Sequence, residues 1–142
     1  MRRYVRVSFL YALLGMAGGV FYREFTKWNG FEGETTLSVL HSHFFVLGML
    51  FFLIAALVEK LLHITDAKTC SAFFVLYNIG LPMTGLMLLI RGIAQTLSLP
   101  LSSGVDAAIS GMAGIGHILL GIGIVFFFVT LLKRLPVHPK KA

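Results

Sequence analysis

The sequence predicts an all-α membrane protein, a four-transmembrane-helix antiparallel bundle with both termini cytoplasmic. Two observations carry that fold class. Of the 142 residues, 57% are hydrophobic and 13% charged, and the mean hydropathy is +0.87, a balance outside that of soluble globular domains. Crossing a hydrocarbon core of about 30 Å takes roughly 20 apolar residues per helix. A chain of 142 residues therefore holds about four spans and short loops, which makes residues 1–142 one domain.

The first span is expected over residues 5–22. Arg2, Arg3 and Arg6 ahead of this apolar run imitate a signal peptide, but no clean small-residue cleavage site precedes Tyr22-Arg23-Glu24, so the segment reads as a retained signal-anchor. The polar loop 23–35 contains the turn formers Asn29-Gly30 and Gly33. A second span over 36–62 is followed by Ile64-Thr65-Asp66-Ala67-Lys68, long enough only for a tight antiparallel reversal. The third span covers 69–97, where Pro82 is expected to kink the helix and free a carbonyl. After the loop 98–104, the fourth span runs over 105–132, with Asp106 suited to a helix N-terminus and Lys133-Arg134 closing it. The tail 136–142 reads as a juxtamembrane segment attracted to anionic lipid.

Of the twelve basic residues, Arg2, Arg3, Arg6, Lys60, Lys68, Lys133, Arg134, Lys140 and Lys141 fall on one side and Arg23, Lys27 and Arg91 towards the other. The positive-inside rule then places both termini in the cytoplasm and the 23–35 loop outside, as in a multi-pass protein of the bacterial cytoplasmic membrane. The net charge of +6 marks topology and not nucleic acid, because the basic residues sit at span ends with no interleaved aromatics. Tyr4, Tyr22 and Trp28 are placed as interfacial anchors. The single Cys70 excludes an intramolecular disulfide.

Against this apolar background His41, His43 and His117 stand out, since imidazole that has lost water must recover partners from a neighbouring helix, a metal or a cofactor. At about 100° per residue, His41 shares a stripe with Phe45, Gly48, Phe52, Ala55 and Glu59, and His43 with Val39, Val46, Leu47, Leu50 and Ile54. The two rings lie about 200° apart on an undistorted helix, so both cannot reach one mononuclear metal. Small residues favour the His41 stripe as the interior; depth favours His43, which belongs to a subunit contact or turns inward if the helix is distorted there. The three histidines lie about 8, 10 and 17 Å below the outer boundary. His117 is flanked by Gly111, Gly114, Gly116, Gly121 and Gly123, with Ser110, Ala113, Gly114 and Gly121 on or near its own stripe. So bare a backbone faces either a tightly packed helix or a flat cofactor. The first span adds Ser8, Tyr11, Gly15, Gly18 and Gly19 and the third adds Ser71, Asn78, Pro82 and Gly85, which predicts a common polar interior in the outer half of the bundle.

Two histidines from different helices, with glycines where a macrocycle would lie, form the arrangement that haem b requires. His117 and either His41 or His43 are the candidate ligands, Gly48, Gly114 and Gly121 the residues that admit the ring, and Arg91 a group for a propionate. The competing reading is a structural one, in which the histidines hydrogen-bond to Tyr11, Asn78, Thr84 or Ser110 and hold helices together. Copper or zinc is the other chemical option, although no third ligand shares the stripe. Met16, Met49, Met83, Met87 and Met112 fit gap-filling better than thioether ligation. His63 and His138 read as solvated or interfacial, Glu59-Lys60 as a helix-end ion pair, and Arg91 as a partner for Glu24 or Asp106 if no cofactor is present.

The segments Tyr11-Ala12-Leu13-Leu14-Gly15, Gly19 to Thr26 and Leu40-His41-Ser42-His43 with Val46-Leu47-Gly48-Met49 resemble a small bacterial membrane family known as a domain of unknown function. The resemblance spans the whole chain. More loosely, His41-x-His43 followed by Leu47-Gly48 is similar to a histidine-bearing helix of haem–copper oxidase subunit I, which implies haem ligation by such a His. The chain has no further His-His pair and no His-Tyr motif, so a binuclear centre is not implied. The expected function is thus a small haem-binding or redox-linked membrane protein. The alternatives are a structural or accessory subunit and a small metal-handling transporter. No nucleophile or phosphate-binding loop points to hydrolysis or group transfer. The partners expected are the lipid bilayer and either a second copy or a redox membrane protein.

Overall fold

Each apolar run winds into a helix, because in hydrocarbon every backbone N–H and C=O must be satisfied within the segment. The computed structural model describes residues 1–135. Among them the first helix is Arg2–Trp28, the second Leu37–Leu62, the third Lys68–Thr96 and the fourth Ser103–Arg134, all long and apolar enough to cross a membrane. No strand occurs among the described residues. The expectations for His138 and the 136–142 tail lie outside them.

The first helix extends six residues beyond its expected end. The Thr26 hydroxyl donates to the Tyr22 carbonyl at 2.8 Å, and the Asn29 side-chain amide donates to the Phe25 carbonyl at 2.8 Å, so local bonds carry the helix through Arg23 and Glu24. Gly30, at φ +59°, ends it. The second helix is then tied to the third: the Thr35 and Thr36 hydroxyls donate to the Gly92 and Leu88 carbonyls at 3.0 and 2.7 Å. At the opposite end His63 adopts φ +47° and a short 3-10 turn, Ile64–Asp66, makes the reversal. Glu59, expected to pair with Lys60, instead accepts from the Thr65 N–H at 2.9 Å and approaches the Met1 ammonium at 3.7 Å. The third helix is unbroken through Pro82. The fourth starts at Ser103, with the Ser102 hydroxyl accepting from the Val105 N–H.

Packing is closest between the third and fourth helices. A Cβ at Gly80 would lie 2.7 Å from the Gly116 carbonyl oxygen and 2.8 Å from the Leu120 nitrogen, and one at Gly123 would meet Tyr77 at 3.2 Å. The first and second helices close over Gly15, Gly18 and Gly19, against Phe45, Leu40 and His41. The shared interior is aromatic. Tyr4, Tyr11, Phe52, Phe73 and Tyr77 are buried, with Tyr11–Phe52 and Phe52–Tyr77 centroids 5.8 and 5.5 Å apart.

Two expectations are corrected here. The interior is not lined by the polar stripes of all four helices: the buried residues of the fourth are Ile109, Gly116, Leu120, Gly123, Phe127 and Thr130, and His117 with Ser110 and Gly121 faces outward. The third helix accounts for this, since its Gly80, Thr84 and Tyr77 complement Gly116 and Gly123 and so select that face for burial. The second helix, moreover, is not a uniform α-helix but π-helical over His43–Leu50. Leu40, Phe44, Gly48 and Phe52 are all buried at four-residue spacing. In an α-helix that spacing drifts about 40° per step, whereas the wider π turn keeps the four on one side.

Candidate functional site

The π-helical turn settles which histidine meets which neighbour. His41 precedes it and packs on the first helix, its Cβ 3.6 Å from where a Gly19 Cβ would stand and its ring 6.4 Å from that of Phe45. Its Nδ1 is buried without a hydrogen-bond partner. His43 opens the turn and faces the fourth helix. There its ring lies 6.3 Å, centroid to centroid, from the ring of His117, at an interplanar angle of 88°. The structure thus brings together His43 and His117 and leaves His41 out. The His41 stripe is the more buried one, with Gly48, Phe52 and Ala55 buried and Val39, Val46, Leu50 and Ile54 of the His43 stripe exposed, yet His41 itself seats on the first helix and does not meet His117.

The two imidazoles are held alike. His43 Nδ1 lies 2.8 Å from the Val39 carbonyl oxygen and His117 Nδ1 lies 2.8 Å from that of Ala113, each one turn back along its own helix. Since a carbonyl only accepts, each Nδ1 is the donor, which leaves Nε2 as the ring nitrogen without a partner. None of the expected structural partners is used. Tyr11 donates to Asn78 Oδ1 at 3.0 Å, Asn78 donates to the Phe74 carbonyl at 2.8 Å, and the Thr84 hydroxyl is buried without a partner.

The surroundings of the pair are open. Gly111, Gly114 and Gly121 have nothing within 4 Å of where a Cβ would stand; Gly114 and Gly121 lie one turn to either side of His117. His43 is half-buried and His117 exposed, so the pair sits on an outward-facing seam between the second and fourth helices. Deeper along that seam Phe51 and Phe127 close it, with centroids 5.1 Å apart. Gly48 does not belong to this opening. A Cβ there would overlap Tyr11 Cβ and Cγ, so the expectation that Gly48 admits a cofactor is corrected to a packing contact with the first helix.

Arg91 stands on the same face, towards the end of the bundle that carries the loop before Leu37. Its Nη2 donates to Asp106 Oδ1 and to Ser110 Oγ, both at 2.7 Å, while its Nε is buried without a partner. Ser110 is seven residues before His117, about 10 Å along the helix. Of the two partners expected for Arg91 it takes Asp106; Glu24 instead lies 3.8 Å from Arg23. Among the described residues no group of three or more His, Cys, Asp or Glu side chains is clustered to hold a metal ion. A cavity of about 660 Å³ between the first, second and third helices, reached by Leu14, Phe21, Phe44, Pro82 and Leu86, has no polar side chain in its wall and so offers no ligand.

Sequence reasoning missed the π turn and with it the partner of His43. The run Phe44 to Ile54 carries no polar residue that would have marked the turn in the sequence. The same reasoning placed Ser8 in the polar interior without its partner and missed Tyr77; their hydroxyls donate at 2.8 Å to the Met49 and Leu47 carbonyls of that turn.

No curated protein and no solved structure matches the chain, so the expected similarity to haem–copper oxidase subunit I is not shown. A family model described as protein of unknown function (DUF2871) matches residues 1–134. With four membrane-spanning helices and that match over nearly its full length, the chain belongs to the DUF2871 family.

Proposed function

We propose that this protein binds haem b with His43 and His117 as axial ligands and serves a redox or haem-handling role in the membrane. The observation that carries the reading is the pairing of the two rings at 6.3 Å across a seam edged by bare glycine backbone. With metal–nitrogen bonds of about 2 Å, two imidazoles facing each other across one ion have centres roughly 6 Å apart, against roughly 5 Å at a tetrahedral corner. The observed separation suits opposed ligands. The Nδ1 bonds to Val39 and Ala113 are those that orient a metal-binding imidazole and leave Nε2 as the donor.

Two protein ligands suffice for haem, whose macrocycle brings four nitrogens, whereas a bare zinc or copper ion takes three or four from the protein. That difference favours haem over the metal-handling alternative. Gly114 and Gly121 leave the backbone bare for a flat ring, and Arg91 offers a cation for a propionate in competition with Asp106. Haem, when bound, supplies one-electron chemistry. The chain's own part is to keep both imidazoles fixed, with Nε2 free, and to hold the ring in apolar surroundings. This reading places the protein in a bacterial cytoplasmic membrane with both termini inside, beside a redox protein or a second copy.

Spectra of the detergent-purified protein, oxidised and dithionite-reduced, test the proposal. A split low-spin haem spectrum that is lost in His43→Ala and in His117→Ala but kept in His41→Ala is expected. A colourless protein that takes up no haem on titration overturns the proposal and leaves the structural reading. A spectrum lost only in His41→Ala overturns the ligand assignment.

A further inference from the structure

A π-helical turn in hydrocarbon needs support, because its i→i+5 pattern departs from the α register on either side and water is not there to bond what is left over. In the second helix the support comes from two other helices. Ser8 of the first donates its hydroxyl to the Met49 carbonyl and Tyr77 of the third donates its hydroxyl to the Leu47 carbonyl, both at 2.8 Å. Both side chains are at least 98% buried. The two carbonyls flank Gly48, where the first helix presses in through Tyr11 so closely that a Cβ would overlap its Cβ and Cγ. Tyr11 is in turn fixed by Asn78. The turn is therefore gripped at three consecutive residues, Leu47, Gly48 and Met49. His43 stands at its start, five residues before Gly48, the span of one π-type hydrogen bond.

We propose that Ser8 and Tyr77 are positioning residues for the His43–His117 pair: their hydroxyls, with the Gly48–Tyr11 contact, hold the π turn that aims His43 at the fourth helix. The role in ligation rests on the haem reading above; the role in pairing the two helices does not. Relaxation of the turn to α geometry shifts every residue ahead of it around the helix axis, which swings His43 away from His117 while leaving His117 in place.

Two measurements on Ser8→Ala, Tyr77→Phe and their combination test this. The first joins positions 43 and 117 as cysteines, in a Cys70→Ala background, with a short bifunctional thiol reagent. At least a ten-fold slower cross-linking in the double variant is expected, with the parent rate retained by Ser8→Thr. The second follows the haem spectrum, where a change from six-coordinate low-spin to five-coordinate high-spin iron is expected, since one axial ligand is lost and the other kept. Unchanged cross-linking overturns the proposal whether or not haem binds; absence of haem from the parent, with cross-linking slowed as expected, overturns the haem reading alone. Should the double variant fail to fold, the single Tyr77→Phe change, which removes one oxygen, decides the matter by the same cross-linking rate.

Discussion

Glycine does two different jobs on the fourth helix. Gly116 and Gly123 are buried against the third helix, and a Cβ at Gly116 would stand 3.0 Å from the Thr84 nitrogen and 3.1 Å from the Gly80 carbonyl oxygen. Backbone cannot yield there as a flexible side chain can, so Gly116→Ala and Gly80→Ala are each expected to lower stability by about 1–3 kcal/mol, read as a lower unfolding temperature in detergent. Gly114 and Gly121 face open space. Leucine at either is expected to leave the unfolding temperature unchanged or slightly raised, because leucine suits a helix interior better than glycine does, by about 0.5–1 kcal/mol. The same two substitutions are expected to weaken haem uptake by ten-fold or more in a titration of the purified protein, since they fill the face beside His117. Equal uptake by Gly114→Leu, Gly121→Leu and the parent would show that this face does not receive the ring.

At the scale of elements, hydropathy made the four spans legible, because an apolar run of this length has few other stable forms. Their ends were less so. The first helix runs on to Trp28 through Arg23 and Glu24 on bonds from Thr26 and Asn29, and side-chain bonds of this kind leave no mark in a hydropathy pattern. The candidate site was legible in part. His117, Gly114 and Gly121 are where sequence reasoning put them along the fourth helix, yet which of its faces is covered depends on Gly80 and Tyr77 of the third, residues remote in sequence. The choice between His41 and His43 lay beyond an argument at constant angle per residue, since it turns on the change of helical pitch at His43. Hydroxyl-to-carbonyl bonds between helices are the recurrent device here, and the clearest pair joins the second helix to the third. Thr35 and Thr36 donate to Gly92 and Leu88. Thr35→Val and Thr36→Val keep the shape and remove each bond, leaving a buried carbonyl with one partner fewer. Each is expected to cost about 1 kcal/mol, measured by thermal or denaturant unfolding in detergent. A double variant no less stable than the parent would show that the bonds do not hold the second helix to the third.

For the molecule as a whole, orientation decides which side of the membrane the histidine pair serves. His43 lies six residues into the second helix, about 9 Å from its start, so the pair sits in the half of the bundle nearer the loop before Leu37. Arg91, with Asp106, caps the same end. Among the described residues seven basic residues, Arg2, Arg3, Arg6, Lys60, Lys68, Lys133 and Arg134, lie towards the opposite end and three, Arg23, Lys27 and Arg91, towards this one, and each basic residue near the anionic cytoplasmic leaflet gains about 1 kcal/mol from its surface potential. The bias predicts that the loop before Leu37 and the loop before Ser103 face outward, with the 3-10 turn Ile64–Asp66 inside. Single cysteines at the exposed positions Glu32, Ser98 and Asp66 test this with a membrane-impermeant maleimide on intact cells. Cys70 is fully buried, against the Tyr4 hydroxyl at 2.9 Å, and adds no background. Glu32→Cys and Ser98→Cys are expected to react before permeabilisation and Asp66→Cys only after it. The reverse pattern would put the histidine pair and Arg91 at the cytoplasmic side, and electrons exchanged there would pass to and from the cell interior instead of the outer face.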